Sequence, residues 1–180
     1  MKFGVLIMPE SVAGTAELAK LAEDHGFDRV RLGDSQSVYR ELYVCLGVAA
    51  AATSRVRVGP GVTNPVTRHP AVTASAIASL DELSRGRGFL GIGAGDSAVY
   101  NLGLKGASTA ALAEAVTAIR DLLVRGQTTY HGQPCHLMWA HRPVPIYIAG
   151  HGPKALRVAG RLGDGAIRSW GTHVIPRFAG

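Results

Sequence analysis

Apolar residues along this chain switch repeatedly between two spacings, alternate positions and roughly every 3.6 residues. Phe3 to Met8 is a short apolar run that predicts a first strand. Thr15 to His25 sets Leu18, Leu21, Ala22 and His25 on one helical face, and Gly26 supplies a C-terminal stop. Val30 and Leu32 alternate as a strand ending at Gly33, and Glu41 to Thr53 is an alanine-rich helix. Arg55 to Gly61 alternates again. Pro70 then opens a helix that carries Val72, Ala76, Leu80 and Leu83 and stops at Gly86. Phe89 to Ile92 predicts the fourth strand. In the clearest helix, Ala110 to Arg125, Leu112, Ala115, Val116, Ile119, Leu122 and Leu123 share one face. Gln127 to Met138 predicts a hairpin turning at His131-Gly132. Val144 to Ala149 predicts a fifth strand, Pro153 to Leu162 a fifth helix, and Asp164 to Ile167 the start of a sixth strand.

Strand and helix in alternation imply parallel strands joined by crossover helices. Two architectures satisfy that pattern, a doubly wound sheet and a (β/α)8 barrel, and both place ligands at the carboxyl ends of strands. No linker or composition break divides the chain, so residues 1–180 read as a single domain.

Composition narrows the function classes. Of 180 residues, 47% are hydrophobic and 18% charged, enough for a packed core. No apolar run reaches the roughly 18 residues of a membrane span, so no membrane role is expected. Two cysteines, Cys45 and Cys135, are too few for a disulfide scaffold, and a reducing cytoplasm is the default. The net charge is +6, but the arginines are scattered and aromatics make up 6%, with no stacking cluster. Nucleic acid is therefore not an expected partner, and the charge favours anionic small molecules. His131, Cys135, His136 and His141 lack the spacing of a metal site, so no metal is expected. Neither a nucleophile elbow nor a Ser/His/Asp order is present, which disfavours covalent hydrolysis.

Chemistry-bearing residues gather at the expected strand ends. Gly33-Asp34-Ser35 follows the second strand and Gly61-Val62-Thr63-Asn64-Pro65 the third. Gly93-Ala94-Gly95-Asp96-Ser97 follows the fourth, and Ala149-Gly150-His151-Gly152-Pro153 the fifth. Any one of these is an ordinary turn. Four at one end point to a ligand site, with small residues admitting close approach and Asp, Thr and Asn offering hydrogen bonds. Gly91 to Asp96 also invites a dinucleotide-fingerprint reading. That reading needs a helix opening at once onto a pyrophosphate, whereas Asp96 would repel the phosphate and the clear helix starts more than ten residues later. The 149–153 loop runs straight into a helix and is the better anion candidate; a plain strand-to-helix turn is the alternative.

VRLGDS at Val30 to Ser35, VRVGPGVTNPVTRHP at Val56 to Pro70, LDELSRGR at Leu80 to Arg87, LGIGAGDSAVYNLG at Leu90 to Gly103 and PIYIAGHGPKALRVAGRLGDGAI at Pro145 to Ile167 carry a resemblance. Together they resemble the bacterial luciferase-like superfamily of flavin- and deazaflavin-dependent oxidoreductases, above all its methylene-tetrahydromethanopterin-reductase-like branch. The resemblance implies an α/β fold of the (β/α)8 TIM-barrel type. Here the barrel is incomplete, with about six of eight strand-helix units and a small hairpin inserted before the fifth strand. It implies coenzyme F-420 (a deazaflavin) or FMN as cofactor. The implied reaction is hydride transfer or oxygen-dependent monooxygenation of a small organic substrate.

The resemblance also places a cis peptide at Gly61-Val62 against the ring, and Thr63 and Asn64 at the ring's polar edge. Gly93 and Gly95 fall on the cofactor side, and Gly150, His151 and Gly152 on the phosphate side. Asp34 and Asp96 map to acidic positions on the substrate side, as the candidate catalytic pair. Residues 168–180 depart from the family's continuation, as a truncation or a shifted reading frame would. An unclosed barrel leaves edges at the first and sixth strands. The chain is accordingly expected to be marginally stable, to form a homo-oligomer or to aggregate. A non-catalytic barrel fragment or interaction module is the alternative to an enzyme.

Overall fold

Each expected strand-helix pair is present in a computed structural model that describes residues 3–167. Strand β1 (Gly4–Ile7) leads to α1 (Val12–Asp24), β2 (Arg29–Leu32) to α2 (Leu42–Ala52), and β3 (Arg57–Pro60) to α3 (Pro70–Leu83). Strand β4 (Leu90–Ile92) is followed by a single-turn helix α4 (Ser97–Tyr100) and the long α5 (Thr109–Arg125). Strands β5 (Gln127–Tyr130) and β6 (Gln133–His136) form the expected antiparallel hairpin, with His131 and Gly132 both at positive φ in its turn. Strand β7 (Ile146–Ala149), α6 (Pro153–Leu162) and β8 (Gly165–Ile167) complete the described chain.

β1, β2 and β3 make one parallel sheet, and β4, β7 and β8 another. Parallel bridges from Val58 to Gly88 and from Thr63 to Ile92 join the two across β3 and β4. The contact there is close enough to demand glycine: a Cβ on Gly59 would lie 2.1 Å from the Phe89 carbonyl oxygen, and one on Gly91 would lie 2.2 Å from that of Pro60. Among the described residues, β1 pairs with β2 alone and β8 with β7 alone, so the strands form an open arc. The tail at 168–180 lies outside the described residues.

Alternation sets the faces of the arc. Val30 and Leu32 are buried towards the helices, while Arg29 and Arg31 on the opposite face are half-buried. Arg29 donates to the Tyr147 hydroxyl at 3.2 Å and lies over its ring. Between strands and helices, Leu42, Leu46, Ile77, Ile119, Leu122 and Ile146 form the core, each at most 1% exposed. All six apolar positions expected on α5 are buried, and its last turn closes on Gly126 at φ +73°.

Two helices bury a different face from the expected one. On α1, Leu18 and Leu21 are 47% and 52% exposed, and the buried positions are Thr15, Ala19, Ala22 and Glu23. Small residues let α1 pack closely on α2, which turns its leucines towards the unpaired β1 edge. On α3, Leu80 is buried as expected, but Val72 and Leu83 are exposed and Ala74, Ile77 and Ala78 take the core positions.

Two charged side chains tie the amino-terminal ends of the strands. The Glu23 carboxylate, in a residue 4% exposed, accepts the backbone N–H groups of Ser54, Arg55 and Val56. Burial pushes its pKa up, and these three donors, aided by the Arg55 charge, overcome that and hold it at about 2. The Arg87 guanidinium donates to the carbonyls of Ala50, Thr53, Val56 and Ser84, satisfying the end of α2.

Candidate functional site

The carboxyl ends of the strands surround a pocket of about 640 Å³, within the range of small-molecule and cofactor sites. Its floor is backbone and small side chains: Gly33, Gly61, Val62, Gly93, Ala94, Ala149 and Gly150. The Gly61–Val62 peptide is cis, as expected. With Cβ atoms few on this floor, a flat ring system can approach the main chain.

Asp34 leaves the end of β2 and is buried, with its side chain 2% exposed. Its carboxylate accepts the Thr63 hydroxyl at 2.6 Å and lies 3.5 Å from Arg68 Nε. Arg68 also pairs with the Glu41 carboxylate and lies over the Tyr43 ring. Burial alone would lower the Arg68 pKa, but the Asp34 and Glu41 carboxylates raise it. The Tyr43 hydroxyl is buried without a hydrogen-bond partner, and that burial raises its pKa.

Asn64 lines the pocket too. Its Oδ1 accepts the N–H groups of Val66 and Thr67 at 3.0 and 2.9 Å, which fixes the turn into α3 and leaves Nδ2 to donate. Across the pocket, Asp96 sits at the N-cap position of α4, exposed and without a side-chain capping bond. Gly95 before it has φ +99°, and a Cβ there would meet Val99 Cγ2 at 2.4 Å. His151 lies on the third side, where the loop after β7 enters α6. Gly152 is the N-cap of that helix and gives no side-chain cap, so the first free N–H groups remain available to an anion.

Asp34, Asn64, Asp96, Gly61, Val62, Gly93, Gly95, Gly150 and His151 thus share one concavity. Two expected site residues do not line it. Thr63 is 0% exposed and faces Asp34 from behind, so it cannot reach the edge of a ligand. Gly152 lies beyond the lining as the N-cap of α6. The segment Gly91 to Asp96 also differs from expectation. A helix does open at once, the single turn α4 from Ser97, and the objection that remains is the Asp96 carboxylate at its start. The anionic preference drawn from net charge is likewise local: the Asp34 and Asp96 carboxylates face the pocket from two sides, and the α6 terminus with His151 lies on a third.

The sequence reading missed Met8, Tyr39 and Tyr100, which also line the pocket, and Arg68, which holds Asp34. It missed Ser35 and Ser97 as well, whose hydroxyls meet at 2.5 Å across the rim. Arg68 was visible in the TRHP segment as the one charged side chain beside Asn64, and Ser35 and Ser97 each close a Gly-Asp-Ser triplet at a strand end; Met8 and Tyr39 carried no site signal.

A family model described as luciferase-like monooxygenase matches residues 1–173. The 5,10-methylenetetrahydromethanopterin reductase of Methanolobus tindarius is 38% identical over 175 residues, covering 93% of this chain and 53% of that protein. The F420-dependent glucose-6-phosphate dehydrogenase of Nakamurella multipartita is 37% identical, covering 87% of this chain and 52% of its own length. Among solved structures, the coenzyme F420 dependent tetrahydromethanopterin reductase of Methanopyrus kandleri superposes with a TM-score of 0.77 at 30% identity. The match covers 93% of this chain and 55% of that one. The chain therefore spans about half the length of these relatives.

Proposed function

The chain belongs to the luciferase-like monooxygenase family, and on that premise we propose that it is a deazaflavin-dependent oxidoreductase whose cofactor and small organic substrate meet in the strand-end pocket. The observation that carries this reading is one concavity floored by small residues, with a buried and an exposed carboxylate, Asp34 and Asp96, on its rim. The residues fit such a group: the floor admits a flat ring, Asn64 Nδ2 is a donor at its edge, and the α6 terminus with Gly150 and His151 suits a phosphate.

The deazaflavin, when bound, supplies hydride transfer. The protein's own work is positional and electrostatic. Thr63 and Arg68 hold the Asp34 carboxylate in place, at the rim of the pocket. Asp96, which no side-chain bond holds at the cap of α4, is placed to give or take the proton that balances hydride movement at the substrate. Six strand-helix units of an eight-unit barrel, a cytoplasmic setting and assembly into a homo-oligomer belong to the same proposal.

Titration of the purified chain with coenzyme F-420 and separately with FMN, read by fluorescence, tests it. Saturable deazaflavin binding that weakens in Asp34→Asn is the expected result; FMN alone binding would move the reading to an oxygen-dependent monooxygenase. No binding of either at millimolar concentration would sink it. A second reading, a non-catalytic partial barrel that docks on another polypeptide, is favoured by the β1 edge, unpaired among the described residues, and the exposure of Leu6, Leu18 and Leu21 beside it.

A further inference from the structure

The loops bearing the two carboxylates come from strands that are not neighbours: β3 separates β2 from β4. Among the described residues, no backbone hydrogen bond joins residues 33–41 to residues 93–108. Two side-chain bonds do. Ser35 Oγ and Ser97 Oγ lie 2.5 Å apart, and Gln36 Nε2 donates to the Ala98 carbonyl at 2.8 Å. Ser35 directly follows Asp34, and Ser97 directly follows Asp96.

We propose that Ser35 and Ser97 form a clasp that sets the separation of Asp34 and Asp96, and so act as positioning residues for the pocket. The proposal rests on the reading of those carboxylates as the reactive pair. Its force comes from an asymmetry between them. The Asp34 carboxylate is fixed by Thr63 and Arg68. The Asp96 carboxylate has no such support: it caps a helix of four residues without a side-chain bond, and one turn does not hold its own shape in water. Val99 anchors that turn from below, where it is 0% exposed. The tie across the mouth is the Ser35–Ser97 bond with its Gln36 companion. A hydroxyl pair suits this place, since either oxygen can donate and the bond survives small shifts of either loop. Without it the Asp96 loop keeps its fold but loses its reference to Asp34, and a ligand must then supply the ordering itself.

Hydrogen–deuterium exchange on the full chain tests the clasp without any ligand, in wild type, Ser35→Ala, Ser97→Ala, the double variant and Ser97→Thr. Ser35→Ala is expected to speed exchange across the gap, at residues 97–107, by about threefold or more, with the melting temperature little changed. Ser97→Ala should do the same at 33–41. The double variant should go no further than either single one, because both remove one bond. Ser97→Thr keeps the hydroxyl at an exposed position and should restore wild-type exchange. The three alanine variants should weaken deazaflavin binding by about three- to tenfold, in the same non-additive pattern, and Ser97→Thr should not. Unchanged exchange at 97–107 in Ser35→Ala, additive singles, or altered exchange with cofactor affinity untouched would each overturn the proposal. If Ser35→Ala does not fold, Ser97→Ala and Ser97→Thr carry the comparison. Coupled exchange in a wild type that binds neither coenzyme F-420 nor FMN would leave the clasp as a real device and remove the proposed function instead.

Discussion

Replacing Glu23 by Gln should remove a pH-dependent part of the stability of this fold. Its carboxylate takes three consecutive backbone N–H groups, from Ser54 at 3.0 Å, Arg55 at 2.6 Å and Val56 at 2.8 Å, where α2 ends and the chain turns into β3. In the folded protein its pKa lies at about 2 against an ordinary 4.5. That difference corresponds to about 3 kcal/mol favouring the folded, ionised form, at roughly 1.4 kcal/mol per pH unit. The contribution is complete above the unfolded pKa near 4.5, shrinks as the pH falls, and is gone once the pH passes below about 2. Gln offers one amide oxygen where the carboxylate offers two, and an N–H₂ group that meets donors already present. Urea unfolding of wild type and Glu23→Gln between pH 7 and pH 2 reads the effect. The gap between the two should be about 3 kcal/mol at neutral pH and should close towards acid, the difference cancelling every other titrating group. A gap that stays constant across that range, or that is below about 0.5 kcal/mol at pH 7, would refute the account.

Arg87→Met should cost about 2–4 kcal/mol, seen as a lower urea midpoint, because it strands the carbonyls of Ala50, Thr53 and Val56 that the guanidinium satisfies. Gly95→Ala should lower the melting temperature and weaken cofactor binding together, since φ +99° and a Cβ at 2.4 Å from Val99 displace the Asp96 loop. Leu21→Lys should leave the melting temperature unchanged while raising the monomer fraction on size-exclusion chromatography, because Leu21 is 52% exposed and outside the core.

Periodicity located the elements well because the α5 stripe and the alternating strands bury the residues their spacing names. It failed where small residues, not large ones, made the contact. On α1 the close approach to α2 is made by Ala19 and Ala22, so the leucines that dominate a hydrophobicity pattern are left outside. The one-turn α4 was too short to give any period. At the site, turn residues at strand ends marked the right end of the sheet only because four such loops gather there; any one of them is explained by turn geometry alone. Which of them face inward was not legible. Thr63 and Asn64 are adjacent in sequence, yet the first points back to Asp34 and the second lines the pocket. Pairings such as Arg68 with Asp34, or Ser35 with Ser97, join residues 34 and 62 positions apart, and no local pattern records them.

The seam between β3 and β4 has a mechanical meaning. Each three-stranded sheet is continuously laddered within itself, whereas the two meet through isolated bridges at Val58–Gly88 and Thr63–Ile92. Asp34 and Asn64 stand on one leaf of this joint; Asp96 and His151 stand on the other. A molecule seated in the pocket would span this joint like mortar, and part of its binding energy would oppose shear between the leaves. Ligand occupancy should then raise the unfolding force of the chain when it is pulled across that line far more than when it is pulled within either leaf.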